Sequence, residues 1–248
     1  MSMEERERVV ESLPAEVTWD EMAMPEGDLH NEGKRQAQDA LRVYFKKQRR
    51  RVYVASELPI YYPGERRFAP DLLVVLDVEP HRRGKWVMSH EGKGLDWVME
   101  VHVGGDRKKD AEYNVRRYAR LGIPEYFIYD RAREKLEAYR LPSPEAREYV
   151  RMESKNGRYT SEVLGLQLQL EGERLRFWAG NALLLEPEEM SERLEGLLEG
   201  VQRRVDEEAR LRAEEARLRA EEVRRREEAE RRLAELQAEL ERLKSRGE

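Results

Sequence analysis

Residues Ala209 to Glu215 read ARLRAEE, and the same seven residues follow unchanged from Ala216 to Glu222. A seven-residue period without glycine or proline suits one conformation, a long helix of the coiled-coil type. From Asp206 onward the chain is almost wholly Glu, Arg, Ala and Leu, so this stretch cannot build a core of its own. Two narrow apolar stripes run along it: Ala209, Ala213, Ala216, Ala220 and Val223, then Ala229, Leu233, Leu236, Leu240 and Leu243 in an offset register. Two fates stay open. The tail pairs with a second copy into a homodimer, most firmly near its leucine-rich end, or it stands alone as a charged helix held by Glu/Arg pairs worth about 0.2–0.5 kcal/mol each.

Up to about Glu186 the composition is different, mixing aromatic, branched apolar and charged residues that can form a core. The expected organisation is therefore an N-terminal arm over 1–30, a folded domain over 31–186 and a charged helix over 187–248. Charged residues make up 40% of the chain, yet the formal net charge is only -5. Nucleic acid is neither indicated nor excluded by that total, because binding depends on a local basic surface. There are no cysteines, which excludes disulfides and thiolate metal sites. The acidic N-terminus lacks the apolar core of a signal peptide, and no run approaches the roughly 20 apolar residues of a membrane span. A cytoplasmic protein without a membrane partner is the expectation.

Within the domain, Ala37, Leu41 and Tyr44 or Phe45 fall at helical spacing and predict a helix over Glu32 to Lys47. Alternation in RVYVASELPIYY predicts a strand from Val52 to Tyr62, with an irregularity at Pro59. Pro70 to Leu76 and Trp97 to Val101 read as buried central strands. Asp106 is placed to cap a helix running through DAEYNVRRYARL, which Gly122 and Pro124 end. EYFIYD is a further strand. Lys135 to Leu141, Glu148 to Met152, Leu166 to Leu170 and Leu175 to Trp178 are β-like, the last two forming a hairpin about Glu171-Gly172-Glu173. This order predicts an α/β fold, a mixed β-sheet flanked by helices.

Two carboxylates stand out against this pattern. Asp71 opens one apolar strand and Glu100 interrupts another, 29 positions later. If the strands are neighbours, two acids meet at one sheet edge, where burial and mutual repulsion require compensation. A divalent cation supplies it: Mg²⁺ takes hard oxygen ligands, often one or two carboxylates with water and substrate phosphate, and assists phosphodiester hydrolysis. Alternatively, Asp71 caps a turn and Glu100 pairs with an arginine. His102 shares the face of Glu100 by alternation, and Glu57 is a further carboxylate in a strand-like run. Basic clusters recur at Lys46 to Arg51, Arg66-Arg67, Arg82 to Lys85 and Arg107-Lys108-Lys109. They form a phosphate-binding rim only if several share one face.

The order Pro70-Asp71, Glu100-Val101-His102, Asp110-x-x-x-Asn114, Tyr118 and GIPEYFIYD (Gly122 to Asp130) resembles the bacterial putative restriction-endonuclease family of the PD-(D/E)XK nuclease superfamily. The resemblance covers about 31–185 and is strongest from Asp71 to Asp130. It implies a restriction-endonuclease-like sheet, DNA as substrate, and a Mg²⁺ or Mn²⁺ site at Asp71 and Glu100 with the Val101 carbonyl as a further ligand. The residues themselves add His102 as a catalytic candidate, Glu57 as a supporting carboxylate and Arg107, Lys108 and Lys109 as phosphate contacts, and the matched motif adds Asp110 and Asn114 in support. The chain departs from the pattern where the superfamily carries a lysine two positions beyond the second acid: here it is His102. On the following helix, where the nearer family commonly has a lysine, stands Asn114. Neither provides lysine's permanent charge, so an inactive DNA-binding or scaffold protein of the same fold is the competing expectation.

Overall fold

The computed structural model describes residues 2–16, 27–104 and 109–244, with the main chain alone for Leu29, Lys109, Asp110 and residues 239–244. It forms two compact units, Met1–Pro187 and Glu188–Glu248. In the first unit, helix α1 (Met3–Ser12) opens with a reciprocal cap, Ser2 Oγ accepting from Glu5 N and the Glu5 carboxylate accepting from Ser2 N. Helix α2 (Gly27–Lys47) starts before the expected Glu32. Its buried row Ala37, Leu41, Phe45 continues back one and two turns to Lys34 and His30, which are also buried, because steps of three and four residues hold one helix face. Gly33 permits the close approach of α2 to the sheet: a Cβ there would stand 3.2 Å from Tyr129 Cε1.

Six strands make the main sheet: β1 (Val52–Ala55), β3 (Leu72–Leu76), β5 (Trp97–His102), β6 (Glu125–Asp130), β7 (Lys135–Arg140) and β8 (Val150–Arg151), in the order β1-β3-β5-β6-β7-β8. Only β5 and β6 run parallel, a pairing that needs a crossover. A π-helical turn (Lys109–Asn114) and helix α4 (Val115–Arg120) supply it, where the sequence predicted one continuous helix from a cap at Asp106. Asp106 itself lies outside the described residues. The predicted strand from Val52 to Tyr62 is also divided. Glu57 adopts φ +54° and its N–H donates to Pro70 O at 3.0 Å, so the second half, β2 (Ile60–Tyr61), leaves β1 and pairs with β4 (Trp86–Val87) instead. The four-residue helix α3 (Met88–Glu91) follows.

A second, antiparallel sheet comprises β9 (Arg158–Ser161), β10 (Leu166–Glu171), β11 (Arg174–Ala179) and β12 (Ala182–Leu183), ordered β12-β11-β10-β9. The expected hairpin is there: Glu171 faces Arg174, and Gly172 takes φ +58° in the turn between them, a conformation glycine adopts without a side-chain clash.

The main sheet is buried on both faces, which explains why β3 and β5 read as continuous apolar runs rather than alternating ones. On one face Leu72, Val74, Trp97, Met99 and Phe127 meet Leu41 and Phe45 of α2 and Leu166, Leu168 and Phe177 of the second sheet. On the other, Leu73, Val75, Val98, Tyr126 and Ile128 meet Ile60, Phe68, Trp86 and Tyr118.

The C-terminal region is a 58-residue helix, α5 (Pro187–Lys244), about 87 Å long at 1.5 Å per residue. Its Glu/Arg content forms the expected i,i+4 pairs, such as Glu208 with Arg212 and Glu215 with Arg219, both at 2.6 Å. Leu233 and Leu236 are exposed, while Leu240 and Leu243 belong to the stretch without described side chains. Among the described residues no helix is long and apolar enough to cross a membrane.

Candidate active site

The register of β3 against β5 pairs Leu73 with Val98 and Leu72 with Met99, so the next step along both strands sets Asp71 beside Glu100. The sequence placed these acids on two strands; only the pairing makes them neighbours. Both are buried, at 6% and 8% exposure, and they are knitted together through the backbone. Asp71 N donates to Glu100 Oε2 at 3.2 Å, and Val101 N donates to Asp71 Oδ2 at 2.8 Å.

Each acid is held by a different covering element. Glu100 Oε1 accepts from Tyr118 Oη of α4 at 2.5 Å and from Asn114 Nδ2 at 3.3 Å. Asp71 Oδ2 lies 3.1 Å from His30 Nε2 of α2. One turn further along α2, Lys34 is 4% exposed and its Nζ donates to Glu57 Oε1. Burial pushes the Asp71 carboxyl up, but the His30 hydrogen bond and charge, the Val101 amide and the charge of Lys34 outweigh it and hold Asp71 below the ordinary range. Asp71 is thus an anion in a dry place, kept so by groups that favour its charged form.

The donor set suits a hard cation. Asp71 Oδ1 accepts no hydrogen bond from the described residues, so one oxygen of this mostly buried carboxylate is left to ligate. Among the described residues no three or more His, Asp and Glu side chains gather as a metal cage. Two carboxylates completed by water and substrate phosphate are the usual protein contribution to Mg²⁺.

The other sequence candidates fall in several places. Asn114 touches Glu100 directly. Val101 takes part through its amide N–H. His102 is buried at the end of β5, and its carbonyl accepts from Arg131 N at 2.8 Å. Glu57 is turned toward Lys34, and its neighbour Ser56 donates through Oγ to the Asp71 carbonyl at 2.7 Å. Arg107 and Lys108 lie outside the described residues, and Lys109 and Asp110 are described by main chain alone. Sequence reasoning missed His30 and Lys34. Their signal was the Ala37-Leu41-Phe45 row carried back past Glu32, where a buried histidine and lysine would have stood out.

Helix α4, which carries Tyr118, is pinned by charge. Glu65 accepts from Arg120 at 2.7 Å and lies 3.1 Å from Arg117, whose guanidinium covers the Phe68 ring at 4.5 Å. Burial pushes the Glu65 carboxyl up, yet the Arg120 hydrogen bond and the two arginine charges hold it below its usual value. A carboxyl lowered in the fold contributes stability above its unfolded value, and that contribution is lost as pH falls through the folded one. Glu65→Gln is therefore expected to lower the urea midpoint at pH 7, with the difference from wild type smaller at about pH 3. Parallel urea titrations at the two pH values check this.

Residues 18–175 match the model of the Uma2 family, described as putative restriction endonucleases. Among solved structures, one match is a putative nuclease belonging to DUF820 from Anabaena variabilis, at 16% identity and TM-score 0.47, covering 61% of this chain and 82% of that one. No curated protein matches.

Proposed function

The chain belongs to the Uma2 family of putative restriction endonucleases, and from that premise we propose that it is a metal-dependent endodeoxyribonuclease hydrolysing DNA phosphodiester bonds. The observation that carries this reading is the pair of adjacent buried carboxylates, Asp71 and Glu100, at the neighbouring central strands β3 and β5, with a buried lysine within charge range of Asp71. Asp71, Glu100 and the Val101 carbonyl would hold Mg²⁺ or Mn²⁺. Such a cation supplies polarisation of a phosphoryl oxygen and a water acidified toward hydroxide.

The chain's own groups do the rest. His30 and the Val101 amide fix one Asp71 oxygen and leave the other to ligate. Tyr118 and Asn114 fix Glu100 Oε1, while Oε2 accepts from Asp71 N. Lys34 stands in for the lysine that the resemblance leads one to expect at His102 or Asn114. Its ammonium comes from α2 rather than from β5 or the following helix, near enough for its charge to lower the Asp71 carboxyl, and its positive charge stabilises the negative charge that develops on phosphate. His102 completes the site from the end of β5.

Supercoiled plasmid is expected to be nicked or linearised with Mg²⁺ or Mn²⁺ and to stay intact in EDTA. Cleavage undiminished in EDTA would end the metal-dependent reading. No cleavage with either cation would favour the competing account, a nuclease-fold DNA-binding or scaffold protein, which draws on Asn114 and His102 at the two lysine positions.

The exposed Leu233 and Leu236 fit α5 pairing with a second copy, which would present two sites to DNA. Sedimentation equilibrium is expected to give twice the chain mass, falling to one chain in Leu233→Lys/Leu236→Lys. A wild type sedimenting as one chain overturns the pairing.

A further inference from the structure

Two basic clusters far apart in sequence form one concavity. The outer row of α2, the turn after it and the Pro80–Arg83 loop enclose a groove of about 830 Å³ whose floor is the edge strand β1. Among the described residues no carboxylate lines it. Some of its arginines are neutralised from behind: Arg50 pairs with Asp77 at 3.0 Å and Arg51 with Glu79 at 2.7 Å. Lys46, Arg49 and Arg82 have no such partner among the described residues, and all three are exposed.

The wall that presents Arg82 is built rather than loose. Its neighbour Arg83 is buried over the Tyr53 and Trp86 rings, at 4.7 and 4.8 Å, and pairs with Glu91 at 2.7 Å while holding the Glu79 carbonyl. The groove also has a direction. Past the C-terminal end of β1 its lining includes Ser56, whose hydroxyl holds the carbonyl of Asp71.

Resting on the nuclease reading, we propose that this groove along β1 is the binding track for the phosphodiester backbone of the DNA substrate, leading it to Asp71. Unpaired cations on exposed side chains release counterions from a polyanion when they meet its phosphates. A strand in the groove lies on Lys46, Arg49 and Arg82 and reaches the acids at the Ser56 end.

The test is binding of a fluorescein-labelled duplex oligonucleotide by the full chain in EDTA, where no cleavage occurs. Lys46→Gln/Arg49→Gln/Arg82→Gln is compared with wild type and with the charge-matched control Arg210→Gln/Arg217→Gln/Arg224→Gln on α5. Loss of three phosphate contacts, each worth about 0.9 in the slope of log K against log salt, lowers that slope by about 2.7. Between about 50 and 200 mM salt, wild type and control then lose roughly 40-fold more affinity than the groove variant. All three proteins should share one denaturation midpoint, since every substituted side chain is exposed. An unchanged slope in the groove variant, or an equal fall in the control, overturns the track. Failure of the nuclease reading looks different: plasmid stays intact with Mg²⁺ or Mn²⁺ while the groove variant still loses its salt dependence.

Discussion

Asp71→Asn and Glu100→Gln should each reduce plasmid cleavage to background, a loss of about a thousandfold or more, without unfolding the domain. A ligated cation contributes several kcal/mol of transition-state stabilisation, and about 4 kcal/mol corresponds to a factor near a thousand. The amides are chosen over alanine for a structural reason. Asp71 Oδ2 accepts the Val101 N–H, and Glu100 accepts from Tyr118 and the Asp71 N–H. Truncation would strand those donors in the core at about 1–3 kcal/mol each. An amide oxygen still accepts, so the domain stays folded, and lost activity in a folded variant reports lost charge. Mn²⁺ titration calorimetry adds a second readout, with binding heat expected to disappear in both variants. Cleavage at the wild-type rate by either variant would remove the two-acid mechanism.

Lys34→Met is expected to slow cleavage by about a hundredfold or more, the cost of removing one preorganised electrostatic group from an active site. A second measurement separates charge from structure. Lys34 acts on Asp71 as a positive charge, so its loss lowers the repulsion a divalent cation meets, and Mn²⁺ should bind more tightly while the rate falls. A merely structural lysine would weaken metal binding and activity together. Lys34→Arg keeps the charge and should recover part of the rate. Lys34→Met cleaving at the wild-type rate would show that the ammonium takes no part in the chemistry.

Much of the site's scaffold was readable from local pattern. The Pro70 to Leu76 and Trp97 to Val101 runs are β3 and β5 within two residues, because strands buried on both faces show unbroken apolar sequence. The hairpin about Gly172 followed from turn chemistry alone. Helix α2 was read from its apolar row but begun too late. His30 and Lys34 continue that row as polar residues, and a pattern that looks only for apolar positions stops at Ala37. The division at Glu57 escaped alternation because the break is made by a backbone hydrogen bond to Pro70, remote in sequence.

The sequence by itself determined the periodic parts of this protein: the long charged helix, the two central strands and the presence of one acid on each. Those features depend on side-chain spacing within a few residues, which the chain carries locally. Tertiary structure alone decided that Asp71 lies beside Glu100, that Lys34 of α2 comes within charge range of Asp71, and that Lys46, Arg49 and Arg82 share one groove. Each of these joins segments tens of residues apart, and strand order and helix placement, which bring them together, leave no mark in local periodicity.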